Sequence, residues 1–261
     1  MVGPAKACLE FWQSMADTPF LKLHPSLKDA DLAKVVPIGI HGDAGAFSKS
    51  DSLYTISWNS LLGQCVTARK RFVFTVLRKS DLVAGTLDAV FQILAWSLNT
   101  MLRGEAPSHD WEGHAIRGGG DALAGRWRAA LCQARGDWAP YVEVFNSPQW
   151  NSAERMCWIC RASSTIARLA WSRCDAEAGW RETRWTHEAY LAFLRGAGMA
   201  IPILLTCIVG FRLECVMVDV LHTVDQGVAS HVIANVFWLF AVKRSCFGGG
   251  THDEKIKKLF A

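Results

Sequence analysis

Short stretches rich in β-branched and aromatic residues mark the first third of the chain. Apolar and polar residues alternate in Leu53–Trp58, and similar runs occupy Val35–Ile40 and Arg71–Leu77. These patterns predict three strands. Because the links between them are short, we expect an antiparallel meander.

A longer segment, Gly85–Leu102, has the apolar period of an amphipathic helix. Thr86 is its predicted N-terminal cap, and Asp88 suits the positive end of the helix dipole. The expected buried face contains Leu87, Val90, Phe91, Leu94, Leu98 and Met101. Residues 127–135 fit either a strand or a short helix, since their periodicity does not decide between the two.

A second helix is predicted over Val218–Phe237, where valine recurs at every fourth position and forms an apolar stripe. The opposite side contains Asp219, His222, Gln226 and Ser230. Asp225 falls at the border between the stripe and the polar side. An amphipathic core helix with solvated acids gives the same pattern, so other acids must converge on Asp225 before a site is indicated.

Composition limits the class of protein. The 261 residues are 51% hydrophobic, which is enough for a substantial core and argues against wholesale disorder. The net charge of +4 permits nucleic-acid binding without demanding it. We find no signal-peptide pattern and no apolar run near 20 residues, so we expect an intracellular protein that does not enter the membrane.

The same patterns divide the chain into five segments. They are an N-terminal helix and linker (1–34), the first part of an α/β core (35–150), a Cys/His insert (151–198), the closing part of the core (199–245) and a flexible tail (246–261).

The insert contains the only closely spaced cysteines, Cys157 and Cys160, in a chain with nine. A Cys-x-x-Cys pair presents two thiolates to one tetrahedral ion, and Cys174 and His187 would complete a zinc site. Unligated buried cysteines and a redox pair are the alternatives.

The insert is also the most arginine-rich part of the chain, and tryptophans lie between its arginines. Arg155, Arg161, Arg168 and Arg173 are candidates for contacts with the phosphate backbone of DNA. A solvated charged surface is the plainer interpretation.

Two further acids stand where predicted elements end. Asp43 lies between Gly42 and Gly45 after the first strand, and Asp137 follows Gly136. Each is also compatible with an ordinary turn. Three strands, a helix, a strand and a closing helix form the order of an RNase H-like core, a mixed sheet flanked by helices. In that core, three carboxylates hold two Mg²⁺ or Mn²⁺ ions about 4 Å apart.

The motif order resembles that of CACTA-type DDE transposases and of transposase-derived proteins of dinoflagellates. His41-Gly-Asp43, Gly136-Asp137-Trp-Ala-Pro, Cys157-x-x-Cys160 and Asp219-Val-Leu-His222 follow one another as in that family. The resemblance covers about Val35–Val242. It implies DNA cleavage and joining in the nucleus by a homo-oligomer when active, with Asp43, Asp137 and Asp225 as metal ligands and His41 and His222 in support.

The chain also departs from that pattern. The last acid of the family is often Glu, and Asp219 competes with Asp225 for the role. No N-terminal DNA-binding domain is visible, so an incomplete or inactive copy is one alternative, and a domesticated zinc-stabilised module that binds DNA or protein without catalysis is another. A metallophosphoesterase, suggested by His41-x-Asp43 and His109-Asp110, lacks the further motifs of that class.

Overall fold

The structure is a computed structural model that describes residues 3–62, 71–149, 151–173, 175–218, 229–240 and 248–259. The chain divides into two compact units, Met1–Met217 and Val218–Ala261. The first unit contains a mixed α/β core.

A four-stranded sheet forms the centre of the first unit. Its strands are β1 (Val35–Ala46), β2 (Ser52–Ser60), β3 (Phe72–Arg78) and β4 (Arg128–Gly136), in the order β3-β2-β1-β4. The β1–β2 and β2–β3 pairs are antiparallel, which confirms the predicted meander. β4 pairs with β1 in parallel, so residues 128–136 are a strand rather than a short helix.

Eight helices are present in the described part of the chain, and none of them is long and apolar enough to cross a membrane. They are α1 (Pro4–Ser14), α2 (Pro19–Leu23), α3 (Thr86–Arg103), α4 (Trp138–Phe145), α5 (His187–Gly196), α6 (Ile203–Cys207), α7 (Ser230–Trp238) and α8 (His252–Leu259).

Helix α3 confirms the longest helix predicted in the first half. Phe91, Leu94 and Leu98 are buried as expected, and the remaining predicted face is partly buried against the same core. The predicted cap is wrong by one residue. Gly85 is the N-cap, with a φ of 86° that glycine adopts without a Cβ clash, while Thr86 Oγ1 accepts a hydrogen bond from Val83 N at 3.1 Å.

The N-terminal segment is part of the core rather than a linker. The indole of Trp12 in α1 is fully buried and donates from Nε1 to the carbonyl of Val35, at the start of β1, at 2.8 Å. Cys8, Phe20 and Leu27 are buried in the same core. The scattered apolar positions of residues 1–34 therefore cover the beginning of the sheet.

A short stretch after α6 continues the sheet beyond β4. Val216 forms a parallel bridge with Ala134, and Met217 N donates to Ala134 O at 2.9 Å. The Tyr141 hydroxyl donates to Met217 O and accepts from Gly136 N. The Tyr141 side chain of α4 thus links the end of β4 to Met217, the last residue of the first unit.

The second unit contains α7 and α8. The predicted stripe is only partly within the described residues, where Val232 and Val236 are 54% and 41% exposed. Residues 219–228, with Asp219, His222 and Asp225, lie outside the described residues. The tail predicted to be flexible contains α8.

Buried His24 makes the stability of the first unit depend on pH. Its side chain is 1% exposed, its Nδ1 accepts from Ser26 N at 3.2 Å, and burial lowers its pKa to about 4. An unfolded histidine has a pKa near 6.5, so the unfolded chain takes up a proton more readily than the folded one. Stability conferred by neutral His24 is therefore complete above about pH 6.5 and is lost progressively as the pH falls towards 4.

We expect the free energy of unfolding to fall by roughly 2 kcal/mol between pH 7 and pH 5 through this residue. Urea unfolding at the two pH values measures it. His24→Gln should show a smaller pH dependence, whereas His109→Gln, in an exposed loop, should keep the wild-type slope. Equal slopes in all three proteins would show that His24 is not the group responsible.

Candidate metal centre

Asp43 and Asp137 lie on neighbouring strands. Asp137 directly follows β4, but Asp43 lies within β1 opposite Thr55, so the prediction that it follows the first strand is wrong, because β1 continues its pairing with β2 as far as Ala46. In the parallel pairing of β1 with β4, Gly42 lies opposite Gly136, and each glycine directly precedes its acid. Adjacent strands are about 4.8 Å apart, so the backbones at the two acids are close neighbours. The structure therefore places the backbones of two of the three predicted metal-binding acids on adjacent strands.

The glycine before Asp137 permits this close approach. A Cβ at Gly136 would lie 2.5 Å from the carbonyl oxygen of Gly42, where no side chain fits without a shift of backbone. A Cβ at Gly42 would meet Pro140 Cβ at 3.4 Å and Tyr54 Oη at 3.5 Å, which is ordinary contact. The Gly-Asp sequence at the end of β4 is thus required by packing of the strand ends.

Asp43 is exposed at the mouth of a cleft of about 350 Å³. The cleft is lined by His41, Asp43, Thr55, Ser57 and Arg71, among others. Within the described residues the Asp43 carboxylate makes no hydrogen bond or ion pair. An exposed carboxylate with its oxygens accessible suits a hard cation such as Mg²⁺.

Asp137 is half-buried and occupies the N-cap position of α4. The positive end of the helix dipole favours a negative charge there. Burial, and then the charges of Glu143 and Asp137, raise the pKa of Tyr54, so that this phenol stays protonated. Tyr54 therefore places a neutral, buried hydroxyl near Gly42, the residue before Asp43.

Comparison of the chain with protein-family models, with curated proteins and with solved structures found no match.

The predicted zinc ligands Cys157 and Cys160 lie together in the insert. The Cys160 thiol donates to Cys157, which also accepts from Ile159 N at 3.3 Å, and these hydrogen bonds lower the pKa of Cys157. The same donation raises the pKa of Cys160. A thiolate beside a thiol is compatible with two ligands of a zinc site.

Of the other two predicted zinc ligands, only His187 lies within the described residues. Cys174 lies outside the described residues. His187 begins α5, and its Nδ1 accepts a hydrogen bond from Leu213 N at 3.1 Å. That contact places the proton of a neutral ring on Nε2, so His187 would have to release Leu213 before either nitrogen could bind a metal.

The four candidate DNA-binding arginines each have a partner within the chain. The guanidiniums of Arg155 and Arg161 lie over the rings of Phe193 and Trp185, at 4.4 and 5.4 Å from the ring centroids. The other two pair with acids, Arg168 with Glu182 at 3.4 Å and Arg173 with Asp175 at 3.0 Å. Exposed ion pairs of this kind are weak and do not prevent an arginine from binding phosphate.

A further cluster was not predicted from the sequence. Asp110, Glu112 and His114 are the only His, Cys, Asp or Glu group in the described residues with three ligand atoms all within 4.8 Å of one another. In the sequence, their Asp-x-Glu-x-His spacing is the pattern that could have indicated this cluster. Asp110 Oδ1 accepts from Glu112 N at 2.9 Å and from His114 N at 2.8 Å, so the turn itself explains why these side chains converge.

Proposed function

We propose that the chain is a DDE transposase-like nuclease and strand-transferase core with an RNase H-like fold, which acts on DNA in the nucleus. The observation that supports it most is the parallel pairing of Gly42 with Gly136, the residues that directly precede Asp43 and Asp137 on adjacent strands. The strand order β3-β2-β1-β4 and the Val216 bridge on the outer edge of β4 are consistent with that fold.

The carboxylate oxygens of these two acids suit divalent ions that prefer oxygen ligands. Asp43 and Asp137 would hold them, and the predicted third acid, Asp225 or Asp219, lies outside the described residues. When bound, two Mg²⁺ or Mn²⁺ ions would supply activation of the attacking water or 3′-hydroxyl and stabilisation of the leaving oxygen. The chain itself contributes a fixed backbone spacing between the acids, enforced by the Gly42–Gly136 contact.

A second candidate function is a non-catalytic DNA-binding module stabilised by zinc. The adjacent thiols of Cys157 and Cys160 support it, because a Cys-x-x-Cys pair presents two sulfur ligands to one ion and the hydrogen bond from Cys160 lowers the pKa of Cys157. In that case the arginines around the pair would contact DNA, and the acids would have no catalytic role.

The two functions differ in their requirement for a hard divalent ion. Purified protein is incubated with supercoiled plasmid and Mn²⁺ or Mg²⁺, and Mn²⁺ binding is measured in parallel by electron paramagnetic resonance. The nuclease proposal predicts Mn²⁺ binding and nicking that EDTA abolishes. DNA binding without Mn²⁺ binding and without nicking would contradict it and support the non-catalytic module.

A further inference from the structure

Basic groups gather on the face of the sheet that Asp43 shares with His41. Arg71, which directly precedes β3, places Nη1 3.4 Å from Nδ1 of His41. Both residues line the cleft that contains Asp43. Because an arginine can only donate, this contact assigns the acceptor role to Nδ1 and leaves the N–H of a neutral His41 ring on Nε2.

A second guanidinium lies across the same face. The Arg135 side chain extends from β4 over Gly39, where a Cβ would lie 2.6 Å from Nη2. Its Nη2 donates to Oδ1 of Asn59 in β2, and that asparagine is itself buried. Gly39 therefore provides the space in which Arg135 lies flat against the sheet.

This guanidinium has unmet bonding capacity. In the described part of the chain Arg135 has no carboxylate within 4.0 Å, and its buried Nε makes no hydrogen bond. Burial, and then the positive charge of Arg71, lower the pKa of Arg135. A half-buried cation beside a second cation is unfavourable unless an anion offsets both.

We propose that Arg71, with His41 beside it, forms a subsite for a backbone phosphate of a DNA strand lying in the Asp43 cleft, and that Arg135 on the same face of the sheet adds positive charge. The Arg71 guanidinium matches the acceptor oxygens of a phosphodiester, which arginine binds through paired donors, and the charge of Arg135 adds to the attraction. The identification of the ligand as DNA rests on the proposed function. The positive charge of Arg71 and Arg135 does not depend on a bound metal.

The test is fluorescence anisotropy with a labelled DNA duplex in EDTA, over a range of salt concentrations. Arg71→Gln should weaken binding several-fold and reduce the salt dependence of the association constant by about one phosphate contact. Arg71→Lys should keep most of the salt dependence. Arg117→Gln, an exposed arginine outside the cleft, should behave as wild type.

The inference is wrong if Arg71→Gln and Arg117→Gln bind alike, if wild type binds no DNA, or if affinity falls while the salt dependence stays unchanged. The thermal midpoint of Arg71→Gln is recorded so that misfolding is recognised, and an unfolded variant is replaced by Arg71→Lys and His41→Gln in the same assay. Failure of the nuclease proposal looks different, because Mn²⁺ binding and nicking would be absent while the effect of Arg71→Gln in EDTA persisted.

Discussion

Replacing Trp12 by alanine is expected to lower the free energy of unfolding by about 3–5 kcal/mol, the range for a large aromatic removed from a packed core. Trp12 is 0% exposed, its ring lies 6.4 Å from that of Phe20, and its Nε1 bonds to the carbonyl of Val35. The substitution therefore leaves a cavity where α1 meets β1 and removes the hydrogen bond to the Val35 carbonyl. Urea unfolding followed by circular dichroism measures the loss.

Two other variants separate the sources of this effect. Trp12→Phe keeps most of the apolar contact and removes the hydrogen bond, so a smaller loss of about 1–2 kcal/mol is expected. Trp171→Ala makes the same change at a site that is 56% exposed and should alter stability by about 0.5 kcal/mol or less. If Trp12→Ala were no more destabilising than Trp171→Ala, residues 1–34 would not belong to the core.

Replacing Asp43 by asparagine is expected to lower the rate of metal-dependent nicking by about 10²- to 10³-fold, the loss typical of removing one preorganised electrostatic contact. The charge of Asp43 faces the cleft and has no partner among the described residues. The variant should therefore fold as wild type does while its affinity for Mn²⁺ falls. Plasmid nicking, Mn²⁺ titration and thermal unfolding provide the three measurements.

Asp51 provides the matched control, since it is another acid of the same sheet region with a structural role. The Ser80 hydroxyl, together with backbone N–H groups and Arg78, holds the pKa of Asp51 at about 2. Asp51→Asn should lower thermal stability and leave the nicking rate per folded molecule unchanged. An equal loss of nicking in both variants would mean that Asp43 acts through the fold rather than through a metal.

The strands of the meander were predictable because each has a recognisable β-branched and aromatic pattern. β4 was ambiguous, since three of its nine residues are alanine and its buried positions do not alternate regularly. Residues 1–34 are predicted as a helix and linker and not as part of the core, because their few buried side chains are widely spaced in sequence. Their partner surface, the start of β1, exists only in the folded chain.

The candidate site was predictable in its residue types and less so in its geometry. Two Gly-Asp pairs at strand ends indicated Asp43 and Asp137, but only the parallel register shows that the glycines face each other. The role of Gly39 could not be foreseen, because the side chain that fills its space comes from Arg135 on another strand. The third acid, Asp225 or Asp219, stays a prediction.

The parallel pairing of β1 with β4 also has a consequence for how the chain folds. Val35 pairs with Arg128, roughly 90 residues later, whereas the β1–β2 hairpin closes locally. Closing so long a loop costs chain entropy before the contacts between β1 and β4 can stabilise it. Sheets rich in such long-range contacts fold slowly. During synthesis β1 therefore keeps one edge unpaired until β4 has emerged, and an open strand edge invites pairing with other chains.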